Sequence, residues 1–251
     1  MNHRVLVQSL DILNYIAAQG RPVSFKEISD YSGLAKSTTH NLIQTMVSMN
    51  YLNRYDDTNR YSIGLKCFET GNAYLFTSPF YSMAVSILSN LAMRCNMTTH
   101  LGALSGTDVV YLYKIESSLP VRTFSFIGKH APAHSTALGK ALLASLDDGT
   151  LDNLYADRKL QVMTPNTISD FDQLMEEIRQ IRLTGVAREF EESNLLIKCI
   201  GTSVISKTSQ TRIGISMAMP TSTPDNEIIE AIQYMLDAKG KIESLAATYE
   251  W

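Results

Sequence analysis

The stretch Val23-Ser24-Phe25-Lys26-Glu27-Ile28-Ser29-Asp30-Tyr31-Ser32-Gly33-Leu34-Ala35-Lys36-Ser37-Thr38-Thr39-His40-Asn41-Leu42-Ile43 decides how the first part of this chain folds. Ser24 and Glu27 hold the two positions of a capping box, in which the serine takes an amide and the glutamate reaches back. Val23 and Ile28 flank that cap where a hydrophobic staple closes over it. Tyr31-Ser32-Gly33-Leu34 then reads as a tight turn built on its glycine. A helix follows from Lys36 to Met49. Thr39, Leu42, Ile43, Met46 and Met49 form its inner face, and Ser37, Thr38, His40, Asn41, Gln44, Thr45 and Ser48 its outer face. Upstream, a helix from Ser9 to Gln19 carries Leu10, Leu13, Ile16 and Ala17 on one face and stops at Gly20. Downstream, Tyr51–Tyr55 and Arg60–Ile63 flank Asp56-Asp57-Thr58-Asn59, two short strands around a polar turn.

Short helices around a glycine turn, then a hairpin, describe a winged helix-turn-helix whose last helix enters the major groove of DNA. Its outer face is uncharged and rich in hydrogen-bonding groups. Asn pairs bidentately with adenine, and Ser and Thr reach bases or phosphates. The candidate DNA contacts are Lys36, Ser37, Thr38, His40, Asn41 and Thr45 on the helix, with Arg54 and Arg60 in the hairpin. From Ala35 to Lys66 four basic residues face two acidic ones, an excess of +2. So small an excess gives one copy a weak electrostatic hold on phosphate, and a dimer or dimer of dimers multiplies it.

The whole chain, 251 residues with a net charge of −3, is 45% hydrophobic and 19% charged, which excludes both a disordered and a wholly basic protein. Three cysteines without a CxxC exclude a disulfide framework and a local zinc knuckle, and reduced thiols suit the cytoplasm. No signal peptide or membrane span is read from the sequence.

Punctuation divides the chain into a winged helix at 6–64, a linker helix at 65–78 with Leu65, Phe68, Leu75 and Phe76 on one stripe, and a larger part at 79–251. Ser78-Pro79 caps a helix carrying Phe80, Met83, Ala84, Ile87, Leu88, Leu91 and Ala92. Strands are read at Thr98–Leu104, Val109–Ile115, Val186–Phe190, Leu196–Ile205 and Arg212–Met219. Helices are read at Ala137–Leu146, Phe171–Leu183 and after Pro224. The fold class is α+β with a mainly antiparallel sheet.

At these residues the sequence resembles the IclR family of bacterial transcription regulators. The resemblance lies in Ile28 to Thr38, in Tyr61-Ser62-Ile63-Gly64, in Thr99-His100-Leu101-Gly102, in Ala133-His134-Ser135-Thr136-Ala137-Leu138-Gly139-Lys140-Ala141 and in the Gly185 to Met219 stretch. It implies a DNA-binding N-terminal domain, a linker helix and a GAF-like (profilin-like) C-terminal domain that senses a small molecule. The implied partners are double-stranded operator DNA, a small organic acid and a second copy of the chain, as a homodimer that pairs again into a homotetramer. The implied role is that of a repressor of a catabolic operon, cytoplasmic and on the nucleoid when bound. Carried over residue by residue, the effector positions are His134, Ser135 and Thr136 at a helix start, then Glu189, Cys199 and Ser216. A Glu189 that points inward accepts hydrogen bonds from a hydroxylated ligand, which leans the choice toward a sugar acid. Two departures stand out: Asn41 where the family often has arginine, and Arg188 with Phe190 in a usually acidic run.

Each of these residues also has a plainer reading: Cys199 as core, Ser216 as a backbone partner, Glu189 as a solvated charge, His134 as packing. Catalytic motifs fit poorly. Gly139-Lys140 lacks the first glycine and the Ser/Thr of a phosphate loop, His130 and His134 lack a third metal ligand, and Ser135 is not in a GxSxG elbow. No cofactor or metal is called for. The alternative is a metabolite-binding or enzymatic module whose winged helix meets protein.

Overall fold

The computed structural model describes residues 4–76, 79–118, 125–156, 159–205 and 212–249. They fall into two compact units divided between Thr77 and Ser78.

The first unit contains α1 (Arg4–Ala18), β1 (Val23–Ser24), α2 (Phe25–Ser32), α3 (Lys36–Ser48), β2 (Leu52–Tyr55), β3 (Arg60–Ile63) and α4 (Leu65–Phe76). The capping box forms: the Ser24 hydroxyl accepts from the Glu27 amide while the Glu27 carboxylate accepts from the Ser24 amide. Val23 and Ile28 are both fully buried in one cluster, the staple the sequence calls for. Gly33 ends α2 at φ 61°, left-handed backbone that glycine takes without strain. β1, β3 and β2 pair antiparallel in that order, so the wing hairpin is anchored to the strand before α2.

Two details differ from the sequence reading. The buried face of α1 centres on Ile12 and Ile16, an i, i+4 pair that packs with α2 in the first unit's core, while Leu10 and Ala17 lie to the side and are exposed. Met49 lies past the end of α3 and is 58% exposed. On α4, Leu65 and Phe68 are exposed; the side chain of Phe76, and Ser78 altogether, lie outside the described residues.

The second unit runs α5 (Pro79–Cys95), β4 (Thr98–Ser105), β5 (Asp108–Ile115), β6 (His130–Pro132), a 3-10 turn (Ala133–Ser135), α6 (Ala137–Leu143), α7 (Asp148–Tyr155), α8 (Phe171–Thr184), β7 (Ala187–Phe190), β8 (Ile197–Ile205), β9 (Arg212–Pro220) and α9 (Asp225–Ala246). The strands form one antiparallel sheet in the order β6-β5-β4-β9-β8-β7. Missing side chains seat α6. A Cβ on Gly201 of the sheet would lie 2.6 Å from the Ala137 carbonyl oxygen, and one on Gly139 of the helix would lie 2.2 Å from the Ala133 carbonyl oxygen in the preceding 3-10 turn. Gly214 likewise meets Leu138 and Leu142. Strand alternation then turns Ile213, Ile215 and Met217 to the other face, and α5 and α9 pack against β4 and β8.

The helix read as Ala137–Leu146 ends at Leu143. Arg182 takes over there, donating to the carbonyls of Ala144 at 3.1 Å and Leu146 at 2.7 Å and pairing with Asp148 at 2.6 Å. α7, capped by Asp147, and the short strands β1 and β6 were not foreseen. β1 and β6 are too short to carry a period, and α7 is a two-turn helix cut off by Ala156.

Candidate functional site

Each unit holds one candidate site. In the first, α3 buries Thr39, Leu42, Ile43 and Met46 and leaves Lys36, Ser37, Thr38, His40, Asn41 and Thr45 exposed. The Thr39 hydroxyl donates to the Ala35 carbonyl and lies 3.3 Å from the Ser32 hydroxyl, tying α3 to α2. The outer face is therefore held at a fixed angle by a packed inner one. Gln44 is half-buried rather than outward. The Thr45 hydroxyl donates to the Asn41 carbonyl at 2.9 Å, whereas the Asn41 side chain stands clear on the surface. In the wing, Arg54 donates to Asn59 at 2.8 Å and Arg60 to the Pro22 carbonyl at 3.1 Å. Both guanidinium groups are exposed and pre-positioned, although Asp56 at 3.5 Å offsets part of the Arg54 charge.

In the second unit a small cavity of about 120 Å³ lies between the start of α6 and the sheet. Ser135, Thr136, Ala137 and Leu138 form one wall, and Cys199 of β8 with Ser216 and Ala218 of β9 form the floor. The register places them together: Cys199 pairs with Ala218, and His100 of β4 pairs with Ser216. The His100 ring reaches the Ser125 hydroxyl at 2.7 Å through Nε2 and the Ser216 hydroxyl at 3.4 Å through Nδ1. Burial, helped by the Lys114 charge, lowers its pKa to about 3, so His100 is neutral at physiological pH. The Tyr111 ring packs against it at a tilt of 51°, ring centres 5.1 Å apart, and burial pushes that phenol above its ordinary range. Lys129, His130, Ser193 and Asn194 complete the polar lining. Among the described residues that line the cavity there is no aspartate or glutamate.

Two expected contacts lie elsewhere. His134 faces away, with its Nε2 3.0 Å from the Gln161 carbonyl, because the 3-10 turn rotates it to the far side of the wall. Glu189 pairs with Cys199 across β7 and β8 and lies beside it on the same face, one strand further from the cavity, buried and not lining it. Its Oε1 accepts from the amides of Glu192 at 2.7 Å and Ser193 at 3.0 Å, which draws the carboxylate into the turn and away from the cavity. Burial raises the pKa of Glu189, and burial together with the nearby Glu189 raises that of Cys199.

Comparison with known proteins resolves the family. Residues 72–242 match the model of the bacterial transcriptional regulator IclR C-terminal domain, and residues 5–56 match that of the IclR helix-turn-helix domain. The chain belongs to the IclR family. It is 31% identical over 242 residues to the HTH-type transcriptional regulator XynR of Escherichia coli K12, covering 96% of each chain. An IclR transcriptional regulator from Alicyclobacillus acidocaldarius superposes with a TM-score of 0.86 at 20% identity, over 98% of this chain and 100% of that one. An IclR homolog from Microbacterium hydrocarbonoxydans, complexed with 4-hydroxybenzoate, gives a TM-score of 0.83 at 17% identity, over 97% and 99%.

IclR-family proteins are transcription regulators rather than enzymes, and they bind operator DNA and small-molecule effectors. This chain is therefore a DNA-binding transcription regulator with an effector-binding C-terminal unit. Among the described residues no helix is long and apolar enough to cross a membrane. Within this IclR fold, the reading of the sequence as a site missed Tyr111, Lys129, Ser193 and Asn194 and had His100 only as part of a resemblance. The signal for His100 was present: it lies two residues from Gly102 on a strand, on the face that meets α6.

Proposed function

We propose that the cavity binds a small hydroxylated monocarboxylic acid, a sugar acid among them, and that its occupancy sets operator affinity. The lining carries this reading. It offers hydroxyls from Ser135, Thr136, Ser193 and Ser216, the Asn194 amide, a neutral His100, basic Lys129 and His130, and no acidic side chain among the described residues. Such a lining favours one negative charge and several hydrogen bonds over a bare hydrocarbon. The Microbacterium homolog, bound to 4-hydroxybenzoate, gives a hydroxylated carboxylic acid as a precedent on the same fold. Glu189 no longer argues for the sugar acid, since it does not line the cavity and its Oε1 is held by the turn.

Lys36, Ser37, Thr38, His40, Asn41 and Thr45 would read the major groove, with Arg54 and Arg60 on phosphates. A homodimer, and a pair of dimers, supplies the contacts that one copy lacks. Exposed Val5, Leu6 and Leu10 on α1 and Leu65 and Phe68 on α4 offer apolar surface for that pairing. In this reading the chain is a cytoplasmic repressor of a catabolic operon.

A thermal-melt screen against sugar acids, keto acids and aromatic acids tests the ligand class. An acid at 100 times its Kd adds about 2.7 kcal/mol, or several degrees at about 2–4 °C per kcal/mol. The account expects a shift with hydroxylated acids that Ser216→Ala reduces. A shift confined to acids without hydroxyls, or none at all, would sink it.

A further inference from the structure

Behind the cavity, the segment Glu191 to Leu196 crosses from β7 to β8 and brings Ser193 and Asn194 to the cavity wall. It is not a relaxed loop. Glu191 at φ 56° and Leu196 at φ 65° both sit in left-handed backbone, which side-chain-bearing residues rarely adopt, so surrounding contacts must hold it. Glu191 supplies some of them, its carboxylate accepting from the Leu196 amide at 2.7 Å and its amide donating to the Ile197 carbonyl at 2.9 Å, and Glu192 supplies those that reach other elements. Its amide donates to Glu189 on β7 at 2.7 Å. Its carboxylate accepts from Lys140 on α6 at 2.7 Å, and that lysine, 1% exposed, also reaches Glu177 on α8 at 3.2 Å. Its carbonyl accepts from the Thr167 hydroxyl at 2.6 Å. Thr167 in turn accepts from the amides of Met163 at 3.0 Å and Thr164 at 2.8 Å, and Met163 is itself on the cavity wall.

One residue thus ties together the segment bearing Ser193 and Asn194, the helix that begins at the Thr136 wall, and the loop that carries Met163. Glu192 does not itself line the cavity. We propose that Glu192 and Lys140 are positioning residues of the sensing site, whose buried ion pair fixes the distance between its walls and holds Ser193 and Asn194 on the cavity they share with Cys199. A carboxylate and an ammonium out of water have few alternative partners, so the link resists loosening more than a surface pair would. The inference rests on the reading of the cavity as the sensing site, yet its test needs no effector.

Two readouts on the full chain test it: peptide-resolved amide exchange, and labelling of Cys199 by N-ethylmaleimide, with Cys95 as an internal reference in the same unit. Glu192→Gln should speed exchange across 191–196 about tenfold or more and speed Cys199 labelling. Exchange in β9 and labelling of Cys95 should stay as in the parent. Thr167→Val removes another tie without leaving a buried charge and should act in the same direction, more weakly. Lys140→Arg should restore part of the protection in a way that Lys140→Met does not. Unchanged exchange at 191–196, or an equal rise in β9 and at Cys95, would overturn the proposal, the latter by showing a merely global loss of stability. A failed acid panel with a positive exchange result would instead count against the ligand class alone.

Discussion

On α3 most polar side chains, Lys36, Ser37, Thr38, His40, Asn41 and Thr45, point outward from an inner face that buries Thr39, whereas in the second unit His100, Lys140, Glu189, Glu192, Thr202 and Ser216 are buried within the fold. Ion pairs at the surface occur in both units, Arg182 with Asp148 among them, but the second unit adds a buried one. Arg21 and Glu27 meet at 2.6 Å on the surface of the first unit, while Lys140 meets Glu192 at 2.7 Å with almost no exposure. The first arrangement leaves hydrogen-bonding groups hydrated and, under the proposed function, open to DNA. The second has already removed water, so each polar group depends on a partner in the protein. A surface reader tolerates change in its contact residues, and a buried sensor does not.

That contrast can be broken most severely at Lys140. Lys140→Met leaves two glutamates without their cation and should destabilise the second unit by about 3–5 kcal/mol, seen as a lower urea midpoint. A loss under about 1 kcal/mol would mean the pair behaves like a surface one. On the reader, Thr38→Ala with Asn41→Ala should weaken operator binding by about 1–3 kcal/mol for each base no longer read. The melting temperature should hardly move, because both side chains are exposed. A parallel fall in stability would show that α3 is not a free surface.

A smaller effect belongs to the cap. Ser24→Ala removes the acceptor for the Glu27 amide and should cost about 1 kcal/mol, confined to the first unit. An effect of similar size, over pH 7.5 to 5.5, concerns protonation. An unfolded chain takes up a proton on His100 near 6.5, but the folded one takes none until about 3. The folded chain therefore holds this contribution above 6.5 and loses it as the pH falls toward 3. Glu27 is held down to about 2 by Arg21 and the Ser24 cap, so its contribution is lost lower, as the pH falls from 4.5 toward 2. Buried Glu189 and Glu192, with raised values, act in the opposite sense, and a comparison with His100→Gln cancels them. The parent should lose stability faster than His100→Gln on acidification from 7.5 to 5.5; equal slopes would place a charged or solvated ring at position 100.

The same contrast explains what was legible. The first unit is written locally: Ser24 with Glu27, Val23 with Ile28, and the spacing of Leu42, Ile43 and Met46 each fall within a few residues of one another. The cavity is assembled from strands and turns more than a hundred residues apart in places, as His100 and Ser216 are, so no local period announces it. The inward side of Glu189 could be read from its alternation with Arg188 and Phe190. Its capture by the amides of Glu192 and Ser193 could not, because it depends on the left-handed turn at Glu191, a residue with no sequence mark for that conformation. His134 was misplaced for a like reason: the 3-10 turn between β6 and α6 rotates it away from Ser135 and Thr136, its immediate neighbours in the motif.

Under the proposed function, a ligand held in the second unit is felt at α3. The direct measurement is the affinity of the full chain for an operator duplex selected from random sequence, at one fixed salt concentration, with and without the acid that raises its melting temperature most. A coupling of the usual size would change operator Kd by about fivefold or more, and Ser216→Ala should reduce that change while leaving the acid-free Kd intact. An operator Kd that is the same with and without saturating acid would contradict the account.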